Sequence, residues 1–498
     1  MTRSLAHVAR RACRLVGLAV LLLCAASVPA AARTGPVLPL GHAGRWLTDA
    51  SGRVVVLHGL NMMDKFSPYL VTAEGFDNAD AAFMEHEGFD GLRLGVDFAS
   101  VEPRPGVYNS SYLNALAREV RMLGRHHIVV LLSSDLNCWS TAFGGQGMPE
   151  WMAETGGLPP NPTGQGFPGC YLTPSAAQDR VWARFYANDL GPDGRGLQTD
   201  YVHGWALIAT RLRGAPNVMG YDTLNEPWPG SASFGSCLSV AGCPGFDRGA
   251  LSAYTQRVAA AVHAASRHAI VWAEPNIGFD FGSPTYLGAI QAPAGFAFHD
   301  YCLAQEVGAD PLQCPGPERR VIANALNYGR RTGTALLLSE FGATDDLNTL
   351  RLVVGAADAA MLPWLEWTFY GKDPCCARPT EGIIRDIRRP ATGTNVKWAK
   401  LGVLVRPYPQ LIAGTPLGWS WDARDRVFRL RYLTAAVGGH HLAHGLATQV
   451  FVPGLHYRRG YRVRVTGGRV TSKPDATKLT IVAARTAHEV SVLLRPGH

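Results

Sequence analysis

Two glutamates, Glu226 and Glu340, stand where short apolar runs of the sequence give way to polar residues. Hydrolysis of a glycosidic bond needs two carboxyl groups flanking that bond, about 5 to 5.5 Å apart when the configuration is retained. Asn225 precedes Glu226 and can hold a sugar 2-hydroxyl, and Pro227 stops the strand and turns the chain. We therefore predict that Glu226 is the general acid/base and Glu340 the nucleophile of a retaining β-glycosidase.

Further polar residues follow other apolar runs. We expect Arg93, His299 and Tyr301 to surround Glu340 and to keep its carboxylate ionised. Glu274 follows a further run and is an alternative candidate for the acid, but it is preceded by Ala273 rather than by an asparagine. This favours a supporting role or a substrate contact for Glu274.

Eight apolar, β-branched runs alternate with helical patterns, which indicates repeated βα units and a parallel sheet. The runs cover residues 54–57, 91–94, 128–132, 218–224, 269–272, 296–299, 335–339 and 363–368. Helices are predicted between them, for example at 109–126, 178–213, 248–267, 318–332 and 347–360. Eight units predict the α/β class and a (β/α)₈ TIM barrel, whose active site lies at the C-terminal ends of its strands.

Beyond residue 401 the pattern changes to short alternating strands separated by turns. This pattern is typical of an antiparallel β-sandwich of about 95 residues, close to the usual size of such a module. The first 32 residues combine four arginines, an apolar run and Ala30-Ala31-Ala32, which predicts a signal peptide. We therefore divide the chain into a signal peptide at 1–32, a catalytic barrel at 33–400 and a C-terminal sandwich at 401–498.

Charge and cysteines fit an exported protein. Removal of the signal, with four arginines and no acidic residue, lowers the formal charge from +8 to +4, too little to indicate a nucleic-acid partner. The C-terminal arginines alternate with apolar residues, as on a solvated strand face. Eight cysteines remain, an even number that favours disulfides, and proximity suggests the pairs 138–170, 237–243 and 302–314. No Cys-x-x-Cys pair or accompanying histidine indicates a metal site.

Four motifs together resemble glycoside hydrolase family five, whose catalytic glutamates lie on strands four and seven. They are Asn225-Glu226-Pro227, His299-Asp300-Tyr301, Ser339-Glu340-Phe341-Gly342 and the string WLEWTFYG at 364–371. Within that family the chain looks most like the endoglycoceramidases, because of HGLNM at 58–62, Lys65, Asp135, Trp367 and LVRPYP at 404–409. It departs from the pattern at Asn137-Cys138-Trp139, where substrate preference can differ.

The resemblance implies an enzyme that cleaves the bond between a glycan and ceramide, and the predicted signal peptide implies that it is secreted. No metal or organic cofactor is expected. It implies that the sugars are held by Lys65, Asp135, Asn225, Tyr301 and Trp367. The implied partner is a glycosphingolipid, met in transient contact with a membrane surface or micelle. Three alternatives stay open: an endoglucanase or mannanase of the same family, a β-glucosylceramidase, and an inactive carbohydrate- or lipid-binding protein.

Overall fold

Three short strands precede the barrel: β1 (Gly41–Ala43), β2 (Trp46–Thr48) and β3 (Val54–Val55). The computed structural model describes residues 35–161, 164, 168–302, 304, 315–372, 376–439 and 442–497. The apolar run 54–57 was predicted to be the first barrel strand, and this is wrong. Its residues Val54 and Val55 pair with Ile412 and Leu411 in a different sheet.

Eight parallel strands form a closed barrel, in the order β10-β11-β4-β5-β6-β7-β8-β9. Their bounds are β4 (His58–Met62), β5 (Gly91–Gly95), β6 (Val129–Ser133), β7 (Val218–Asp222), β8 (Val271–Ala273), β9 (Ala294–Asp300), β10 (Ala335–Phe341) and β11 (Trp364–Glu366). The strands are almost completely buried, as expected for a parallel sheet covered by helices. The predicted TIM barrel is confirmed.

Helices follow the strands and shield the barrel. In the described residues they span Val71–Glu74, Asn78–His86, Phe98–Val101, Ser110–Arg125, Gly169–Leu172, Ala176–Ala187, Leu197–Leu212, Ser231–Cys237, Pro244–Phe246, Ser252–Ala265, Pro315–Thr332, Leu347–Ala360 and Trp398–Leu404. The single helix predicted at 178–213 is in fact two helices. The first ends at Asn188, which adopts a left-handed conformation suited to a helix terminus. None of the described helices is long and apolar enough to cross a membrane.

Two antiparallel sheets complete the structure. The later strands are β12 (Tyr408–Ile412), β13 (Thr415–Asp422), β14 (Val427–Leu433), β15 (Ala447–Phe451), β16 (Tyr461–Thr466), β17 (Gly468–Val470), β18 (Lys478–Ala483) and β19 (Glu489–Pro496). One sheet has the order β1-β2-β3-β12-β15-β18-β17, and the other β13-β14-β19-β16. The seven-stranded sheet thus includes three N-terminal strands that a division at residue 400 places with the barrel.

The sandwich is joined to the barrel by buried aromatic and charged contacts. The imidazole of His58, at the start of β4, stacks between Trp364 and Tyr408, with ring centroids 4.1 and 3.7 Å away. Asp358 accepts hydrogen bonds from Arg406 (3.0 Å) and from the indole of Trp419 (3.1 Å). His58 therefore lies where β4 begins, away from the C-terminal end of the barrel that carries Glu340.

Two of the suggested disulfides are present, Cys138–Cys170 and Cys237–Cys243. Cys302 and Cys376 are also disulfide-bonded. The suggested 302–314 pair involves Cys314, which lies outside the described residues, as does the predicted signal peptide at 1–32.

Candidate active site

Glu340 lies near the end of β10, and Glu226 lies four residues after β7 ends at Asp222. Both are nearly buried, with 5% and 6% of their surface exposed. Glu226 has a φ of 42°, a conformation that side chains other than glycine adopt at a cost. Its backbone N–H donates to a carboxylate oxygen of Glu274 at 2.8 Å. Glu274 therefore fixes the unusual backbone that carries Glu226.

Arg93, inside the barrel on β5, connects most of the charged groups. Its guanidinium donates to Glu340, to Asp222 and Glu274 (2.9 Å each), and to the Oδ1 of Asn225 (2.7 Å). Burial disfavours its charged form, but the carboxylates of Glu340, Asp222 and Glu274 outweigh burial and raise the pKa of Arg93. This permanently charged side chain therefore ties the residues after β7 and β8 to the end of β10.

His299, on β9, contacts both glutamates. Its Nδ1 lies 3.0 Å from the Oε1 of Glu226, while its Nε2 lies 3.2 Å from Glu274 and 3.6 Å from Glu340. Burial alone would lower the pKa of His299. The charges of Glu274 and Glu340 outweigh burial, and the net pKa of His299 lies well above its ordinary value. The imidazolium therefore adds a second positive charge to a site rich in carboxylates.

The two oxygens of Glu340 have different partners. Oε1 accepts a hydrogen bond from the guanidinium of Arg93, and Oε2 accepts a hydrogen bond of 2.9 Å from the hydroxyl of Tyr301. Burial raises the pKa of Glu340, His299 and Arg93 oppose this increase, and the charge of Glu226 reinforces it. The pKa of Glu340 remains above that of an ordinary glutamate, but two hydrogen-bond donors and the nearby charge of His299 support its ionised form.

Glu274 was an alternative candidate for the acid. Burial would raise its pKa, but His299 and Arg93 outweigh burial and lower it to about 2. Glu274 is not among the residues that line the cleft containing Glu226 and Glu340. A carboxyl group with a lowered pKa that lies behind the cleft is poorly suited to donate the proton to a leaving group. The structure therefore gives Glu274 a supporting position.

The cleft has a volume of about 230 Å³, and polar groups form part of its wall. Lys65 donates to Asn137 (2.7 Å) and forms an ion pair with Asp135 (3.2 Å). The ammonium of Lys65 also lies 4.7 Å from the centre of the Trp367 ring, within the range of a cation–π contact. Gln146 donates to Asp135 at 3.0 Å. Such fixed donors and acceptors next to an indole face are suited to sugar hydroxyls.

Apolar side chains form the rest of the cleft. They come from the segment after Glu226, the segment after β8 and the residues around Cys170, and comprise Pro168, Tyr171, Phe234, Leu238, Ile277 and Phe281. The ring of Phe234 packs on Trp228 with centroids 4.5 Å apart. Polar and apolar surfaces therefore meet in one cleft with the two glutamates.

The structure brings the nine residues proposed from sequence into one site. Those that line the cleft are Lys65, Asp135, Asn225, Glu226, Tyr301, Glu340 and Trp367. Arg93 and His299 contact the glutamates without lining it. Sequence analysis missed Gln146 and Glu381; the latter accepts the indole N–H of Trp367 at 2.8 Å. Both lie in loops beyond strand ends, where no apolar run marks them.

Among the described residues, one group could hold a metal ion: Glu226, Asp280 and His299, whose ligand atoms lie within 4.8 Å of one another. A histidine binds a metal through an unprotonated nitrogen, and the raised pKa of His299 opposes this. Burial raises the pKa of Asp280 well above its ordinary value, which also favours the protonated form. Without a bound ion, His299 and Asp280 therefore favour their protonated forms.

Comparison with known proteins agrees with this geometry. Residues 49–373 match the family described as Cellulase (glycosyl hydrolase family 5), and residues 406–492 match the Glycoside hydrolase family 5 C-terminal domain. The chain is 33% identical over 482 residues to endoglycoceramidase I of Rhodococcus hoagii (strain 103S). This match covers 93% of this chain and 89% of the relative. It is 24% identical over 442 residues to an endoglycoceramidase of Cyanea nozakii, covering 84% of this chain and 85% of the relative.

A solved structure shares the fold. Endo-glycoceramidase II from Rhodococcus sp., in its ganglioside GM3 complex, matches with a TM-score of 0.74 and 24% identity over 91% of this chain and 99% of the other. Sequence, barrel and paired glutamates agree, and the chain belongs to glycoside hydrolase family 5.

Proposed function

We propose that this chain is an exported endo-β-glycosidase that hydrolyses the bond between the glycan and the ceramide of glycosphingolipids, with retention. The observation that carries the proposal is the mixed cleft. Hydrogen-bonding groups at Lys65, Asp135 and Trp367 suit a glycan, while Phe234 and Phe281 offer apolar surface to a lipid. Burial of a methylene group contributes about 0.8 kcal/mol, so a ceramide gains affinity from even a short apolar wall. The names of the two endoglycoceramidase relatives support the same substrate class.

In the first step, the carboxylate of Glu340 attacks the anomeric carbon while Glu226 gives its proton to the glycosidic oxygen. The bond to ceramide breaks, ceramide leaves as an alcohol, and the glycan remains bound to Glu340 as an ester. Glu226, now ionised, then takes a proton from water, whose oxygen attacks the anomeric carbon and releases the glycan and Glu340. Two inversions give net retention.

The neighbouring groups prepare these two roles. Tyr301 and Arg93 hold the two oxygens of Glu340, so the attacking carboxylate does not rotate freely. The amide of Asn225 is anchored by Arg93 and by the carbonyl of Leu136 (3.2 Å), next to the acid. Preorganised groups of this kind stabilise developing charge without reorganisation during the reaction.

We also infer that the mature chain acts outside the cytoplasm. The N-terminal pattern at 1–32 predicts export, and the bonded cysteines Cys138, Cys170, Cys237 and Cys243 fit an oxidising compartment. Export would be tested by mass spectrometry of the protein recovered from culture medium. A mature N-terminus close to Arg33 is expected, and retention of the full chain in the cytoplasm would refute the inference.

A second candidate is an endoglucanase, because the matching family description carries the name Cellulase. The deciding experiment incubates the purified chain with lactosylceramide, with glucosylceramide, with a ganglioside and with soluble cellulose. Intact oligosaccharide plus free ceramide from the first and third supports the proposal. Glucose from glucosylceramide alone indicates a glucosylceramidase, and reducing sugar from cellulose alone indicates the endoglucanase.

Variants test the assigned roles and exclude an inactive binding protein. Glu226→Gln and Glu340→Gln are each expected to lower ceramide release by at least about 10³-fold while the protein remains folded. Asp425→Asn, an exposed acid on the β13–β14 turn, is the matched control and should retain full activity. Added azide should rescue a Glu340→Gly variant and yield a glycosyl azide of inverted configuration. Turnover unchanged in either glutamine variant would refute its role.

A further inference from the structure

The outer face of the four-stranded sheet carries five arginines, here called the arginine face: Arg429, Arg431, Arg462, Arg464 and Arg495. All five are exposed, while the residues between them on β14, β16 and β19 point into the sandwich. The strand pairing brings them together. Arg462 lies directly opposite Arg495, and Leu493 separates Arg429 from Arg464 in the next row.

Two acidic residues also lie on this face. Glu489 forms an ion pair with Arg431 (2.8 Å), and Asp422 is exposed at the end of β13. Five arginines against two carboxylates leave this face with a net charge of +3 (5 − 2). Like charges directly opposite in a sheet, as at Arg462 and Arg495, are destabilising. A face that merely had to be soluble would mix the two signs of charge. A ligand of opposite charge would compensate this excess of positive charge.

A basic cavity continues the arginine face at the end where β16 begins and β19 ends. It has a volume of about 450 Å³, and its lining includes Arg426, Arg458, Arg459 and Tyr457. The guanidinium group matches phosphate oxygens with paired hydrogen bonds, so a cavity with three arginines suits a phosphate headgroup.

Leucines lie among the arginines. Leu417 on β13 and Leu433 at the end of β14 are 42% and 36% exposed, and the half-buried Leu493 lies between Arg429 and Arg464. A surface that combines arginine with exposed apolar side chains suits a lipid surface better than a polyanionic polymer, which offers no apolar phase. We propose that the arginine face and its basic cavity bind membranes that contain anionic phospholipids.

This binding would hold the enzyme at the bilayer in which its substrate is embedded. To that extent the proposal rests on the function proposed above, but vesicle binding is measured without any glycolipid. Failure of the surface proposal and failure of the substrate proposal are therefore separate results. The proposal predicts binding that increases with the anionic lipid content and decreases with salt, because exposed charges are screened.

The test is co-sedimentation of the full chain with vesicles of phosphatidylcholine alone, or with one third phosphatidylglycerol. The variant Arg462→Gln/Arg464→Gln/Arg495→Gln is expected to partition onto anionic vesicles roughly 100-fold more weakly, from the loss of three surface charges. The control Arg211→Gln/Arg213→Gln/Arg319→Gln removes three exposed arginines from the barrel helices and should bind as the parent does. Turnover of a soluble aryl β-glycoside should be unchanged in both.

Melting temperature provides a second measurement. Since the variant removes the opposed pair Arg462 and Arg495, its thermal stability should equal or exceed that of the parent. Four outcomes would overturn the proposal: equal binding of parent and face variant, an equal loss in the control variant, equal binding to neutral and anionic vesicles, or retention on heparin without binding to vesicles. The last of these would identify an acidic polymer as the ligand.

Discussion

Replacement of Glu274 by glutamine would test how the network behind the cleft controls catalysis. One oxygen of Glu274 accepts from Arg93 (2.9 Å) and lies 3.2 Å from His299, and the other accepts the backbone N–H of Glu226 (2.8 Å). A glutamine keeps one oxygen and presents an NH₂ group in place of the other. Whichever way the amide is turned, the NH₂ group faces a donor, either the N–H of Glu226 or the two cations.

The expected cost follows from that mismatch. A buried donor without an acceptor costs about 1 to 3 kcal/mol, and a factor of ten in rate corresponds to 1.36 kcal/mol, so turnover should fall about 5- to 150-fold. Glu274 does not line the cleft, so the loss should appear in kcat rather than in KM. The raised pKa of His299 depends first on Glu274 among its neighbours. Without that charge, His299 loses its proton at lower pH, and the alkaline limb of the kcat profile should move to lower pH.

Two aryl β-glycosides would separate this supporting role from that of the acid. If Glu226 is the acid, Glu226→Gln should spare kcat/KM for a dinitrophenyl glycoside, because kcat/KM reports the first step and this leaving group needs no protonation. The same variant should strongly lower kcat/KM for a substrate with a poor leaving group. Glu274→Gln should slow both by the same factor, because it disturbs geometry rather than proton donation. A loss confined to the poor leaving group would mean that Glu274 is the acid, and unchanged kcat with an unchanged pH profile would refute the network argument.

Three other predictions follow from individual contacts. Tyr301→Phe removes a hydrogen-bond donor that favours the ionised form of Glu340, so the pKa of Glu340 should rise further. The acid limb of the kcat/KM profile should then move to higher pH. A limb that stays in place would show that the hydrogen bond of 2.9 Å is not made in solution. Phe234→Ser should raise KM for a glycosphingolipid about tenfold while leaving kcat/KM for a soluble aryl glycoside unchanged, and an equal effect on both would refute a lipid contact at Phe234. Lys400→Met leaves the buried carboxyl of Glu366 without its ion-pair partner (2.7 Å), so the free energy of unfolding in urea should fall by about 3 to 5 kcal/mol. A second change, Glu366→Gln, should restore most of this loss. No recovery would mean that the cost lies in packing.

The sequence alone was sufficient for the barrel and for most of the site. Seven of the eight barrel strands overlap predicted apolar runs that close on a polar residue, and both signals are local. Arg93, Glu226, His299 and Glu340 were therefore all found at strand ends or within strands. The resemblance to a family then added Lys65, which lies in a loop. The assignment of roles within this set remains a prediction for the experiments above.

The first strand shows where local pattern fails. Residues 54–57 are as apolar and as β-branched as any barrel strand, but Val54 and Val55 pair with β12, which lies more than 350 residues further along the chain. The run HGLNM that does form the strand contains a histidine, a glycine and an asparagine. Its glycine is required, because a Cβ on Gly59 would lie 2.1 Å from the carbonyl oxygen of Gly91 on the next strand. Only the closed barrel reveals that constraint.

The difference between the two catalytic candidates likewise arises from the tertiary structure. Glu226 and Glu340 are chemically identical and share one cleft, but Glu340 is held by Arg93 and Tyr301, while Glu226 contacts the ring of His299. Two direct donors orient the carboxylate of Glu340 for attack on carbon, whereas among the described residues the side chain of Glu226 has one hydrogen-bonding contact, from one of its oxygens to the ring of His299. Asp222, Glu274 and Asn225 accept hydrogen bonds from Arg93 and help to hold its guanidinium against Glu340. We therefore expect that replacing any of these acceptors makes the environments of Glu226 and Glu340 more alike while the protein remains folded.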